Sequence, residues 1–248
     1  MKAYFISDLH LGAREIENKE QQEAHVMALF AQVEKDATHL FIVGDFFDFW
    51  YEYRTVIPKQ YFPILCILQR LREKGIEMHY LAGNHDFFLG SFFDRYLDVH
   101  THADDFSIEL QGKKFYLFHG DGLDPSDKGY RVLKRILRSR LNQKLFRLIH
   151  PDFGIRLAKL VSGTSRKYNT IDTQARDEKE YFTFARERFA EGYDYVVMGH
   201  RHNPLVYETE GKKYVNLGDW IYHYSYAVFD GNDLCLKFWT EKQKQNDD

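Results

Sequence analysis

The stretch Lys2-Ala3-Tyr4-Phe5-Ile6-Ser7-Asp8-Leu9-His10 decides the fold. A short, uninterrupted apolar run reads as a strand buried on both faces, and it delivers Asp8 at its carboxyl end. The same arrangement recurs along the chain. Thr38 to Val43 runs into Gly44-Asp45, and Ile76 to Leu81 into Gly83-Asn84-His85-Asp86. Lys114 to Phe118 runs into His119-Gly120-Asp121, and Tyr193 to Met198 into Gly199-His200-Arg201-His202. Between the early strands, residues 17–35 and 58–74 carry apolar positions at helical spacing, the second opened by Pro58 and closed before Gly75. Strand–helix alternation predicts a largely parallel, buried sheet with helices outside.

Further along, the pattern changes. Phe106–Leu110 and Lys114–Phe118 alternate around Gln111-Gly112-Lys113 and read as a hairpin. Residues 127–150 read as one long basic amphipathic helix, 153–162 as another and 172–190 as a charged helix, with a loop from Gly163 to Tyr168. Strands are expected at 204–209, 212–217 and 223–238, the last broken at Asp230-Gly231-Asn232. No linker divides the chain, so the expectation is one domain over 1–248 with a helical insert at approximately 122–170.

Composition narrows the function classes. The chain has 248 residues with a formal net charge of -3, so any affinity for a polyanion or a membrane must come from a local patch. Hydrophobic residues at 44% and charged residues at 29% describe an ordinary globular domain. Two cysteines far apart, Cys66 and Cys235, give no disulfide framework and fit a reducing compartment. The first residues reach Asp8 too soon for a signal peptide, and no apolar run is long enough to predict a membrane-spanning helix.

Chemistry is concentrated where the strands end, which is where open α/β sheets place their sites. Asp8 and His10 are two residues apart, as are His200 and His202, so in extended segments each pair points one way. Asp8, His10, Asp45, Asn84, His119, His200 and His202 offer carboxylate, amide and imidazole donors without thiolate, a set suited to Mn, Fe or Zn in a catalytic site. Seven candidates exceed one tetrahedral ion and suffice for two ions sharing a bridging carboxylate. A single Asp-x-His is weak evidence, because a buried, hydrogen-bonded histidine is commoner than a ligand. Five polar clusters in succession, each at a strand end, are hard to account for by packing. The remaining histidines read as surface or core residues, although His223, after Gly218-Asp219-Trp220, could approach the site.

The order of these blocks resembles the calcineurin-like metallophosphoesterase superfamily, with its D-x-H, G-D, G-N-H-D/E, H and G-H-x-H pattern. The resemblance implies a four-layer αββα sandwich and a dinuclear centre. One ion would be held by Asp8, His10, Asp45 and His202, and the other by Asp45, Asn84, His119 and His200. Within the superfamily, residues 8–12, 83–90, 119–123, 199–204 and 217–220, with Asp127 and Gly129-Tyr130, are similar to the UDP-2,3-diacylglucosamine diphosphatases of lipid A synthesis. That family implies Mn(2+), cleavage of the pyrophosphate to UMP and diacylglucosamine 1-phosphate, and an insert that holds the acyl chains. It nominates Asn84, His85, Asp127, Tyr130, Ser165 and His200 as substrate contacts. Histidine at 85 departs from the best-known branch, which has arginine there, and bears on the exact substrate more than on the chemistry.

His85, beside Asn84, is the expected general acid or transition-state hydrogen-bond donor. Asp86 is expected either to orient His85 and stabilise its protonated form, or to cap a helix at Phe87–Tyr96. Residues 128–147 hold eight basic residues and no acid, while Tyr130, Leu133, Leu137, Leu141, Leu145 and Leu148 form an apolar stripe. Such a helix fits an anionic bilayer surface, or else its stripe packs on the domain. Few aromatic platforms for bases lie in this segment, so no nucleic-acid partner is expected. The combined expectation is a cytoplasmic enzyme, peripheral on the inner membrane. The alternative is a soluble phosphodiesterase, nuclease or phosphatase of the same superfamily.

Overall fold

A computed structural model describes residues 1–14, 16–123, 134–136, 139–156 and 174–239. Two sheets face each other. The larger is built from β1 (Ala3–Ile6), β2 (His39–Val43), β3 (Glu77–Leu81), β4 (Val99–His102), β10 (Ser225–Phe229) and β11 (Leu234–Phe238), in the order β11-β10-β1-β2-β3-β4. The smaller has β5 (Phe106–Leu110), β6 (Lys113–Phe118), β7 (Tyr195–Met198), β8 (Leu205–Thr209) and β9 (Lys212–Asn216), in the order β5-β6-β7-β9-β8. β1 to β4 are parallel, as alternation with helices requires, and β10 and β11 close the sheet antiparallel.

Three apolar layers follow from the strand pleat. Tyr4, Ile6, Leu40 and Ile42 face α1 (Lys19–Asp36), α2 (Phe62–Glu73) and α3 (Phe92–Leu97). Ala3, Phe5, Phe41 and Val43 point the other way and meet Phe115, Leu117, Val197 and Val215 between the sheets. Val196, Met198 and Tyr116 on the far side pack on Tyr181, Ala185 and Phe189 of α5 (Gln174–Ala190). Helix, sheet, sheet, helix is the expected four-layer sandwich. Asn18 starts α1 by accepting from the Gln21 N–H. Pro63 at the first turn of α2 suits a position whose N–H has no helical partner.

Two expectations change. β4 is an edge strand that the sequence pattern does not reveal, since Val-His-Thr-His lacks an apolar face. The helix expected at Phe87–Tyr96 is only Phe92–Leu97, so Asp86 is not its cap.

The long helix expected over 127–150 is broken where it is described. Ser139 is extended (φ -69°, ψ 135°), and its side chain accepts from the Asn142 N–H, starting α4 (Arg140–Phe146) anew. A serine in a basic amphipathic run caps more favourably than it sits inside a helix. The next helical stretch, 151–156, begins at Pro151. Among the described residues of 127–150 the apolar stripe does not pack on the sheets: Leu141, Leu145 and Leu148 are 67%, 52% and 82% exposed. Phe146, off that stripe, does the docking. With Ile155 it packs on Phe49, Tyr51, Tyr53 and Phe88.

Candidate metal centre

All five polar clusters meet beyond the carboxyl ends of β1, β2, β3, β6 and β7. The loops there are tied backbone to backbone. Asp8 N–H donates to Gly44 O (3.2 Å), His10 N–H to Asp45 O (2.9 Å), and Trp220 N–H to Asp8 O (3.1 Å). Asp8, His10, Asp45, His200 and His202 all adopt the left-handed backbone region, with φ between 45° and 68°. Side chains rarely sit there, and Asp and His are among the types that tolerate it best. Gly83 and Gly199 lie under this cluster for a steric reason. A Cβ on Gly83 would stand 2.1 Å from Asp45 Oδ1, and one on Gly199 2.4 Å from Asp8 Oδ2.

The donor atoms fall into two groups with Asp45 between them. In the first, His10 Nε2 and His202 Nε2 are 3.2 Å apart, and Asp8 Oδ1 lies 3.3 Å from His202 and 3.6 Å from His10. In the second, Asn84 Oδ1 is 3.1 Å from His119 Nε2 and 2.8 Å from His200 Nδ1. Asp45 Oδ2 reaches both groups, 3.6 Å from His10 Nε2 and 3.4 Å from His119 Nε2. Such spacings match the edges of a coordination polyhedron with bonds of about 2.1 Å.

Three observations show that the pocket suits cations. Asp8 Oδ1 is buried and accepts no hydrogen bond, although its partner oxygen takes the Ser7 hydroxyl and the His200 N–H. Secondly, His119 Nδ1–H donates to Val43 O (2.9 Å), which turns its Nε2 toward Asp45 and Asn84. Thirdly, the carboxylates outweigh the burial. Burial disfavours charge on His119, yet Asp45 raises its pKa to about 10. Burial likewise opposes ionisation of Asp45, but His119 and His85 hold its pKa below the usual carboxylate range. Burial and the charge of His119 push His200 down to about 4, leaving it a neutral donor.

His85 stands at the rim. Its Nδ1 donates to Asp48 O (3.0 Å), the Asp48 carboxylate is 3.8 Å away, and its Nε2 is 3.9 Å from Asp45 Oδ2. Asp86 does not fill the expected role beside it. Its buried carboxylate accepts from the N–H groups of Asp45, Phe46, Phe47 and Gly83 and from the Tyr80 hydroxyl. Asp86 ties the loop after β2 to the loop after β3. The residue at His85 is Asp48, which sequence reasoning missed. Its signal was a second acid three residues after Asp45, in a stretch otherwise aromatic.

Asp219 was also missed as a supporting group. It lies 3.7 Å from His202 Nδ1, accepts from His223 Nδ1 (2.8 Å), and accepts from the N–H groups of Ile221 and Tyr222. His223 therefore reaches the periphery through Asp219. Asp121 pairs with Lys134 at 2.7 Å, and His119 and Lys134 together overcome burial to hold it at about 2. Asp127, Tyr130 and Ser165 lie outside the described residues.

The two-sheet sandwich and its Asp/His loops define a metal-dependent phosphoesterase, and comparison with known proteins agrees. The calcineurin-like phosphoesterase family model matches residues 1–204, and the chain belongs to that family. The family and the donor clusters together call for divalent metal ions. The chain is 34% identical to a UDP-2,3-diacylglucosamine hydrolase of Porphyromonas gingivalis, covering 95% of this chain and 97% of the relative. It is 29% identical to a protein of the same description from Neisseria meningitidis serogroup B, over 91% of each. A solved structure of Vps29 with zinc from Entamoeba histolytica is similar at TM-score 0.47 and 13% identity, covering 96% of this chain and 97% of that one.

Proposed function

We propose that the chain hydrolyses the pyrophosphate of UDP-2,3-diacylglucosamine to UMP and 2,3-diacylglucosamine 1-phosphate, using two Mn(2+) ions. The similarity to hydrolases of that description, at 34% identity over nearly the whole of both chains, carries the reading. Asp8, His10, Asp45 and His202 would hold one ion, and Asp45, Asn84, His119 and His200 the other. Such ions supply Lewis-acid polarisation of phosphoryl oxygens and a lowered pKa for water.

The chain's own residues do the rest. Asn84, His85 and His200 face the reacting phosphates. His85 in its doubly protonated form gives Nδ1–H to the Asp48 carbonyl, has the Asp48 carboxylate nearby to stabilise its charge, and presents Nε2–H to the leaving oxygen. Asp48 is thus a positioning residue.

The insert, approximately 122–170, would take the acylated sugar, with Asp127, Tyr130 and Ser165 as contacts. Its exposed Leu141, Leu145, Leu148 and Phe153, beside Arg135, Lys144, Arg147 and Arg156, give an apolar and cationic face. That chemistry suits an anionic bilayer, and supports a peripheral place on the cytoplasmic side of the inner membrane. Among the described residues no helix is long and apolar enough to cross a membrane.

The test is product analysis. Metal-loaded protein is incubated with UDP-2,3-diacylglucosamine in detergent, beside a His10→Asn control and bis(p-nitrophenyl) phosphate. Release of UMP and the diacylglucosamine 1-phosphate, lost in the control, is expected. Cleavage of the generic diester alone would overturn the substrate and keep the metal centre.

A further inference from the structure

The described surroundings of the metal centre differ from side to side. Lys134 reaches Asp121, two residues after His119. Phe146 packs on Phe49 and Tyr51, just after Asp48. On the remaining side stands His202. Asp8, His10 and Asp45 of the first donor group are buried, while the His202 side chain is 30% exposed. There the centre is bordered by residues 217–224, the loop from β9 to β10.

That loop is fixed at several points. Trp220 N–H donates to Asp8 O (3.1 Å), and its Nε1–H to Ser225 O (2.7 Å). Asp219 Oδ1 accepts from the N–H groups of Ile221 (2.8 Å) and Tyr222 (2.6 Å). Its Oδ2 accepts from His223 Nδ1–H at 2.8 Å and lies 3.7 Å from His202 Nδ1. Two imidazoles therefore converge on one carboxylate oxygen, one a metal donor and the other at the surface. With Nδ1–H given to Asp219, His223 keeps Nε2 for a partner outside the chain, and its side chain is 42% exposed. Tyr222 beside it is 74% exposed. A single exposed aromatic is ordinary on a protein surface. Tyr222 differs because its backbone is pinned to the carboxylate behind a metal donor, so the ring is carried on a fixed edge of the site.

The substrate proposed above has two ends of opposite chemistry, an acylated sugar and a uridine, joined by the pyrophosphate. The insert takes the sugar and its chains in that reading, so the nucleoside needs another wall. Uracil is a flat π-system edged with hydrogen-bonding groups, and ribose carries hydroxyls. An aromatic ring stacks on any base, and an imidazole nitrogen accepts from a hydroxyl or an N–H. We propose that Tyr222 and His223 form the subsite for the nucleoside half of the substrate, Tyr222 stacking on the base and His223 Nε2 accepting from the ribose or the base edge. Asp219 is then the residue that positions both the subsite and His202. This inference rests on the reading of the substrate as a UDP-linked lipid.

The test is binding of UMP and of inorganic phosphate to the Mn(2+)-loaded chain by calorimetry, with metal content and circular dichroism recorded for each variant. Wild type should bind UMP more tightly than phosphate. Tyr222→Ala should weaken UMP about 5- to 100-fold, and Tyr222→Phe, which keeps the ring, should bind it like wild type. His223→Ala should weaken UMP about 2- to 10-fold. Phosphate affinity and metal content should not move in any of them, and KM for the UDP-linked lipid should rise in step with the loss of UMP affinity. Wild-type UMP affinity in Tyr222→Ala and His223→Ala would overturn the subsite, as would UMP bound no more tightly than phosphate by wild type. Loss of phosphate affinity or metal in parallel with UMP would reduce these residues to supports of His202, and would overturn it too. The substrate reading fails separately, by absence of UMP among the products of the UDP-linked lipid. A UMP affinity that still depends on Tyr222 would then keep the subsite for another nucleotide.

Discussion

Replacing Asp86 by Asn separates a loop clamp from a partner of His85. Its Oδ2 accepts from the Phe46 N–H at 2.8 Å, from the Phe47 N–H and from the Tyr80 hydroxyl. Oδ1 accepts from Asp45 N–H at 3.1 Å and Gly83 N–H at 2.8 Å. An amide must put its NH2 in one of these places, facing at least two donors. At the Oδ2 position the Tyr80 hydroxyl can turn to accept, but the Phe46 N–H and the more distant Phe47 N–H lose this acceptor. At the Oδ1 position both remaining N–H groups lose theirs. Each buried donor left unsatisfied costs about 1–3 kcal/mol. Burial and the nearby Asp45 charge raise the Asp86 pKa to about 6, so removing its charge relieves repulsion and offsets part of this cost. The net expectation is a loss of about 1–3 kcal/mol, or a Tm lower by about 3–9 °C. Metal affinity should fall with it, because the clamp holds Asp45 against Gly83. Urea unfolding and calorimetric metal titration read both effects, and the pH optimum of turnover should stay in place. A variant with wild-type stability and metal affinity but a displaced pH optimum would show that Asp86 acts through His85, and would refute the clamp.

Further outcomes follow from the same geometry. Asp45→Ala should cut turnover at least about a hundredfold and lower the measured metal content, since both donor groups lose a shared oxygen. Asp48→Asn should lower kcat about 10- to 100-fold and shift the pH profile, with metal content unchanged. Gly154→Val should raise KM for the diacylated substrate while hydrolysis of bis(p-nitrophenyl) phosphate stays near wild type, because a Cβ there stands 2.3 Å from the Tyr53 hydroxyl and displaces the insert. Tyr53, Tyr116 and Tyr195 are pushed up to about 12 by burial. Their neutral forms favour the folded state, so that stability is present below pH 10 and is lost as pH rises toward 12. Tyrosinate absorbance and far-UV dichroism should therefore change together in that window. Separate titration of these groups near pH 10 with intact secondary structure would contradict their burial.

Layer order, ten of the eleven strands among the described residues and the convergence of seven polar side chains were legible because they rest on periodicity and position. Buried strands are apolar runs, and their carboxyl ends are where the polar residues begin. β4 escaped because its histidines pair with a neighbour strand and with Phe106, contacts that alternation cannot reveal. The break at Ser139 escaped because a capping serine and a helical serine look alike within a basic run. Asp86 was given the place beside His85 that Asp48 holds for a related reason. Adjacency in sequence to His85 favoured Asp86, yet consecutive residues in a tight loop point apart. Asp48 reaches His85 from another loop, 37 positions earlier.

What local preference would resist is concentrated at the centre itself. Five candidate ligands hold a left-handed backbone. At about 1–3 kcal/mol for a strained residue, their combined cost rivals the stability of a whole domain. The cost lies at the low end because all five are Asp or His, residue types that accept this conformation through local hydrogen bonding. The conformation persists because neighbouring loops over-determine it. Asp8 is held by Gly44, Trp220, Ser7 and His200, and Asp45 by His10, Asp86 and His85. In a straight continuation of each strand Asp8 and His10, or His200 and His202, would share a face but stand about 7 Å apart with parallel side chains. The left-handed turn aims Asp8 with His10, and His200 with His202, at a common space. Strain and ligand geometry are therefore the same feature, and the close-packed glycines at 83 and 199 leave the room in which it forms.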